Sequence, residues 1–153
     1  MKTIIEKFHV IGIAVRTQNI PGKAEADIPQ LWTEFMEKNI LEQIPNRFDN
    51  NIYCIYTDYE GDYTQPYTTV LGCKVNNLDK IPDGLKGYTF ETNQYEKFVA
   101  KGKMIDGFVY NEWLKIWASD LNRNYKADFE IYDEKARDKE SAEVSIFVGI
   151  EKE

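Results

Sequence analysis

Histidine is almost missing from this chain: His9 is the only one in 153 residues. It sits between Phe8 and Val10 with no second ligand at metal-binding spacing, which excludes a structural zinc site and removes Ser-His and Cys-His nucleophile pairs as well. Neither GxSxG nor a glycine-rich phosphate cradle occurs, so no catalytic set, metal or cofactor is expected. Cys54 and Cys73 are the only cysteines. Two are too few for a disulfide framework, and no apolar leader precedes them. The expectation is a cytoplasmic protein in which both thiols act as small buried hydrophobes. No apolar run approaches the roughly 20 residues that cross a bilayer, so no membrane partner is expected. Positive charge is also short, with 19 Lys and Arg against 26 Asp and Glu and a net charge of −7. Such a balance repels a phosphate backbone and argues against direct nucleic-acid binding.

Aromatic residues, by contrast, are abundant: 10 Tyr, 8 Phe and 3 Trp, more than core filling demands. Tyrosine offers an apolar face with a hydrogen-bonding tip, which suits the wall of a binding cavity. The length fits one domain spanning residues 1–153.

The run FHVIGIAVRT from Phe8 to Thr17 reads as a strand ending in turn formers. Asp27 and Gln30 have capping-box spacing. Ile28, Leu31, Trp32, Phe35 and Met36 then recur at helical intervals, predicting a first helix to about Leu41. NIYCIYTDY and YTTVLGCKV form a hairpin across the turn-rich stretch from Glu60 to Pro66. Asn77 to Gly84 reads as a linker, after which the pattern restarts. Short strands span Leu85–Glu91 and Tyr95–Lys101. A second helix carries Tyr110, Trp113, Leu114, Trp117 and Leu121 on one stripe, and Lys126–Asp133 with Glu143–Ile150 makes a closing hairpin. The halves, about 1–76 and 85–153, thus repeat strand, helix, strand, strand. Even IYTDYE at Ile55 and IYDE at Ile131 match. A repeat this long indicates a duplicated two-layer module. The fold class expected is α+β: an antiparallel sheet with two helices on one face and a ligand groove at the pseudo-twofold seam on the other.

Within that frame Glu130 stands out, because it lies inside a strand between Phe129 and Ile131, with Asp128 and Tyr132 on its own side. With the helices expected over Phe129 and Ile131, Glu130 would project into the open groove as a ligand anchor. Tyr53 and Tyr95 are candidate walls at the seam. Tyr56 and Tyr132 occupy matching places in the repeat, and Trp117 is a further candidate. Trp32 is expected to pack in the core.

The stretches VIGIAVRT, IPQLWTEFM, IPNR, IYCIYTDYEGDYT, IPDGL, QYEKFVAKG and NRNYKADFEIYDE, in this order from about Phe8 to Ile150, resemble the GyrI-like, AraC-type bacterial effector-binding domain. That domain also forms the drug-sensing half of some MerR-type multidrug regulators. The resemblance implies a duplicated strand-helix-strand-strand fold that binds small molecules, often lipophilic cations, in a central groove. It matches Glu130 to the family's ligand-contacting glutamate and Tyr53 and Tyr95 to wall tyrosines. Such regulators carry a DNA reader ahead of this domain, whereas here the ligand domain begins within the first residues, so a stand-alone small-molecule binder is expected. The resemblance also implies two alternatives: a hydrolase of electrophilic small molecules that uses the pocket glutamate, and a protein whose partner is a regulator or gyrase.

Overall fold

Runs of β-branched and aromatic residues dominate the chain, and in the computed structural model, which describes residues 1–152, they become one eight-stranded antiparallel sheet. Its strands are β1 (Lys2–Ile5), β2 (Phe8–Thr17), β3 (Ile52–Thr57), β4 (Tyr67–Val75), β5 (Lys86–Phe90), β6 (Asn93–Gly102), β7 (Arg123–Tyr132) and β8 (Ala142–Ile150). They lie in the order β1-β6-β8-β7-β3-β4-β2-β5. Exchanging each strand of the first half for its counterpart in the second, β1 for β5 through β4 for β8, reverses this order onto itself. The duplication therefore yields a pseudo-twofold axis between β3 and β7, where Cys54 pairs with Glu130.

Chain connectivity forces the sheet to curl. Only Glu6 and Lys7 separate β1, at one edge, from β2, six strand intervals away in the sheet order, and Glu91 and Thr92 make the same jump from β5 to β6. Six intervals span about 29 Å in a flat sheet, yet two linking residues reach only about 10 Å. The two edges must meet at that end. As a result the ring of Phe8 on β2 lies 5.4 Å from that of Phe129 on β7, although β4 and β3 separate their strands. Gly12 and Gly72 face each other across β2 and β4. A Cβ on either would run into the neighbouring strand's backbone at Leu71 or Ile11, so the close approach needs glycine at both places.

Two main helices cover one face. α1 (Ala24–Glu37) is followed by the short α2 (Ile40–Gln43), and α3 (Phe108–Ala118) belongs to the second half. α1 starts three residues before the expected cap. Asp27 makes no capping bond and instead pairs with Lys23 one turn earlier at 2.9 Å, which leaves Pro29 in the second turn. The helix buries Leu31 and Phe35 but leaves Met36 exposed. α3 buries Phe108, Trp113 and Ile116 while Tyr110 and Leu114 face outward, so the expected stripes are each displaced by part of a turn.

The helices pack over Cys54, Leu71, Val144 and Ile146, which is the face carrying Tyr56 and Glu130. Phe129 lies on the opposite face, with Phe8, Tyr53, Tyr95 and Phe147. The sequence expectation had these faces reversed. The physical reason is the curl, which lets the second face close on itself with aromatic side chains and no helix.

Candidate functional site

Alternation along β3 and β7 brings Tyr56, Glu130 and Tyr132 to the helix-bearing face at the seam, where α1 and α3 stand apart. The gap between them is a cavity of about 520 Å³ floored by these three residues, within the usual range for small-molecule sites. Trp32 on α1 and Trp113 on α3 form facing walls, and Trp32 meets Tyr132 edge-on at 4.8 Å. The connection between β3 and β4 adds Tyr59 and Tyr63. Tyr63 stacks on Trp117 of α3 with ring centroids 5.2 Å apart and planes within 6°.

Glu130 is the charged floor, with 2 % of its surface exposed. The Trp113 indole donates to Oε2 at 2.6 Å, Tyr56 hydroxyl donates to the same oxygen at 2.8 Å, and Tyr132 hydroxyl donates to Oε1 at 2.7 Å. The Cys54 thiol in turn donates to the Tyr56 oxygen at 3.4 Å. An ionised carboxylate accepts about four hydrogen bonds; three come from these donors, and the Cys54 thiol also lies close enough to act on the carboxylate. Burial pushes the Glu130 carboxyl above its ordinary value, while hydrogen bonding from Tyr132, Trp113, Tyr56 and Cys54 pulls it back down. Tyr56 and Tyr132 are themselves raised, by burial first and by neighbouring Cys54 and Glu130 next. Both remain neutral donors. The arrangement holds against aromatic surface a buried acid with no cationic partner of its own among the described residues, which favours a cationic group over an anion.

A second polar group borders the same cavity. Arg123 donates through Nη2 to Asp128 at 2.7 Å, with side-chain exposures of 4 % and 0 %. Asp128 also accepts from Tyr59 hydroxyl at 2.6 Å and from the Gly149 backbone N–H at 2.8 Å. Residues five apart on a regular strand face opposite sides. Here the register of β7 against β8 breaks between Arg123 and Asp128, and Tyr125 adopts a left-handed φ of 54°. That bulge turns Arg123 to the cavity side. Burial opposes its charge, but Asp128 and Tyr59 outweigh burial and hold its pKa above the ordinary arginine value. Among the described residues no group of three or more His, Cys, Asp or Glu side chains converges to hold a metal.

Of the sequence candidates, Glu130, Tyr56, Tyr132 and Trp117 line this cavity. Tyr53 and Tyr95 do not and are corrected here: both are buried on the opposite face, at 7 % and 1 % exposure. Tyr53 is three residues from Tyr56 on one strand, so alternation sends the two rings to opposite faces. Tyr95 packs on Phe129 and Phe147 at 5.2 and 6.4 Å as core. Trp32, expected in the core, is half-buried and contributes to the cavity wall. Trp113, Arg123, Tyr59 and Tyr63 were missed. For Tyr59 and Tyr63 the signal was the run of Tyr56, Tyr59 and Tyr63, whose spacing of three and four imitates a helix period although the segment is a strand end and a loop; nothing comparable marked Trp113 or Arg123.

Comparison with known proteins agrees with this architecture. YobU of Bacillus subtilis (strain 168), described as a candidate transcriptional regulator protein, is 29% identical over 147 residues, covering 92% of this chain and 91% of its own. The integron cassette protein VCH_CASS2, from the mobile metagenome of Vibrio cholerae, superposes with a TM-score of 0.75 at 25% identity over 99% of this chain and 95% of that one. SAV2435, solved bound to tetraphenylphosphonium, has the same fold, with a TM-score of 0.80 at 12% identity over 99% and 93% of the two chains. The sequence pattern of the Cass2 integron-associated effector binding proteins matches residues 3–150, and with the duplicated fold and seam cavity now in place, the chain belongs to this effector-binding family.

Proposed function

We propose that this protein binds small, flat-sided organic cations in the seam cavity, with Glu130 as the charge anchor and Trp32, Tyr56, Trp113 and Tyr132 as contact surface. The observation that carries this reading is the buried Glu130 carboxylate, held by indole and hydroxyl donors at the floor of an aromatic cavity of about 520 Å³, where no cation among the described residues pairs with it to neutralise the acid. A cation on an aromatic face gains about 0.5 to 2 kcal/mol per contact, and the carboxylate adds sign selectivity. The net charge of −7 helps such ligands approach. The tetraphenylphosphonium complex of SAV2435 supports the reading, since a protein of this fold accommodates a cation of that kind.

The test uses two ions of the same shape and opposite sign, tetraphenylphosphonium and tetraphenylborate, titrated against intrinsic tryptophan fluorescence. The expected result is saturable binding of the cation, at least tenfold tighter than the anion. Equal affinities would remove Glu130 as anchor, and no binding of either would remove the cavity as the site.

A further inference from the structure

Arg123 has more hydrogen-bonding capacity than its surroundings use. Asp128 takes Nη2, but Nε and Nη1 are buried and meet no acceptor. The side chain is 4 % exposed and borders the cavity. Around the guanidinium stand ring faces, Tyr125 at 4.4 Å, Trp113 at 5.8 Å and Tyr63 at 5.9 Å; Asp62 lies within electrostatic reach of Arg123, but it accepts from Thr64 and takes none of these N–H groups. Stacked rings accommodate the charge but do not accept these N–H bonds. Buried donors left unmet are costly, so each such group calls for a partner or a role.

The position of this group relative to Glu130 follows from the strand. Asp128 and Glu130 are two residues apart on one face of β7, so their backbone positions are about 7 Å apart, and the guanidinium is fixed to Asp128. Trp113 joins the two ends: its indole N–H bonds Glu130, while its ring lies by Arg123. The cavity therefore has an acceptor end and a donor end separated by aromatic surface. Because Asp128 already neutralises Arg123, the free N–H groups suit an uncharged oxygen better than a second full anion. Tyr63 belongs to the connection between β3 and β4 and not to the sheet, so it is the neighbour that can yield when a ligand oxygen approaches.

We propose that Arg123 forms an acceptor-reading subsite, so that the ligands of this cavity are amphiphilic cations carrying a carbonyl or ether oxygen roughly 7 Å from the cationic centre. This rests on the cavity reading above and narrows it, from any lipophilic cation to one with an acceptor on its far side.

The experiment compares two triphenylphosphonium cations of equal chain length: one bearing a heptyl arm, the other a 4-ethoxy-4-oxobutyl arm that sets an ester in the same chain. Affinities are measured by calorimetry for the wild type and for Arg123→Lys, which keeps a positive partner for Asp128 but removes the guanidinium's spare donors. The expected result is about tenfold tighter binding of the ester cation to the wild type, and a ratio near one in Arg123→Lys. The ratio within each protein cancels any general loss in the variant. If the wild type binds both cations equally, the subsite is wrong while the cavity reading stands, and that comparison holds even if the variant does not fold. A preference retained in Arg123→Lys overturns the assignment to Arg123. Failure of both cations to bind the wild type overturns the cavity reading and the subsite together.

Discussion

Replacing Glu130 by Gln keeps the shape of the cavity floor and removes its charge. In the native structure neutral donors hold the carboxylate, so what a bound cation gains is chiefly the Coulomb attraction of the ionised group. Two unit charges 4 Å apart attract by about 4 kcal/mol at an effective dielectric of 20, and stripping water from the cation offsets part of that. A loss of about 1.5 to 3 kcal/mol follows, the range for a hydrogen bond to a charged group. That is roughly 10- to 150-fold in affinity for tetraphenylphosphonium. Glu25, the other acid bordering the cavity, is exposed and substitutes poorly because water screens it. The pH dependence provides an independent check. Burial raises the folded-state pKa of Glu130 above its ordinary 4.5, so the folded state holds the proton at pH values where the unfolded chain has released it. Stability from this group is greatest below the ordinary value and falls as pH rises through the raised one. Cation affinity moves the opposite way, growing as the carboxylate ionises and releasing a proton on binding. Glu130→Gln should flatten both profiles across that window and melt at the same temperature as wild type or slightly higher near neutrality. Calorimetric titrations in two buffers of different ionisation enthalpy, with thermal melts from pH 4 to 8, measure these quantities. Unchanged cation affinity in Glu130→Gln, or an affinity independent of pH in the wild type, would refute the reasoning.

Other residues separate fold from site. Tyr95→Ala should cost about 3 to 5 kcal/mol in chemical denaturation, as for a large aromatic removed from a core, with cation affinity of the folded fraction unchanged. Asp128→Ala strands the Arg123 charge beneath Tyr63 and Tyr125, and breaking one side of such a pair costs about 3 to 5 kcal/mol, read as a drop in the denaturant midpoint. Trp117→Ala removes the stacking partner of Tyr63 at the cavity mouth. It should weaken tetraphenylphosphonium binding about fivefold, near 1 kcal/mol, and shift the melting temperature little.

The duplicated order of elements was legible because each strand and helix carries its own period. β7 shows what periodicity delivers and where it stops. Alternation correctly put Asp128, Glu130 and Tyr132 on one face, but both faces of β3 and β7 bear bulky apolar or aromatic groups. Such a pattern says the sheet is buried twice and does not say which side takes the helices. That choice follows from the two-residue links Glu6–Lys7 and Glu91–Thr92, whose shortness becomes informative only once the sheet order is known. Arg123 was hidden for a related reason: its side follows from a bulge, and a bulge inverts strand parity. The walls Trp32 and Trp113 look in sequence like any buried helix residue, since a helix that spans the edge of a cavity uses the same stripe for core and ligand.

Cys54 and Glu130 sit opposite each other where the pseudo-twofold axis crosses the seam. Two identical half-chains assembling around that axis would have to place the same side chain at both positions. Two carboxylates there would lie on backbone positions only about 4.5 to 5.5 Å apart, and one would be forced to keep its proton, leaving a site of reduced and shared charge. Joining the halves into one polypeptide lifts that restriction. One position is free to carry a small thiol that supports Tyr56, the other a single acid. A nearly symmetric scaffold can thus distinguish one end of its ligand from the other.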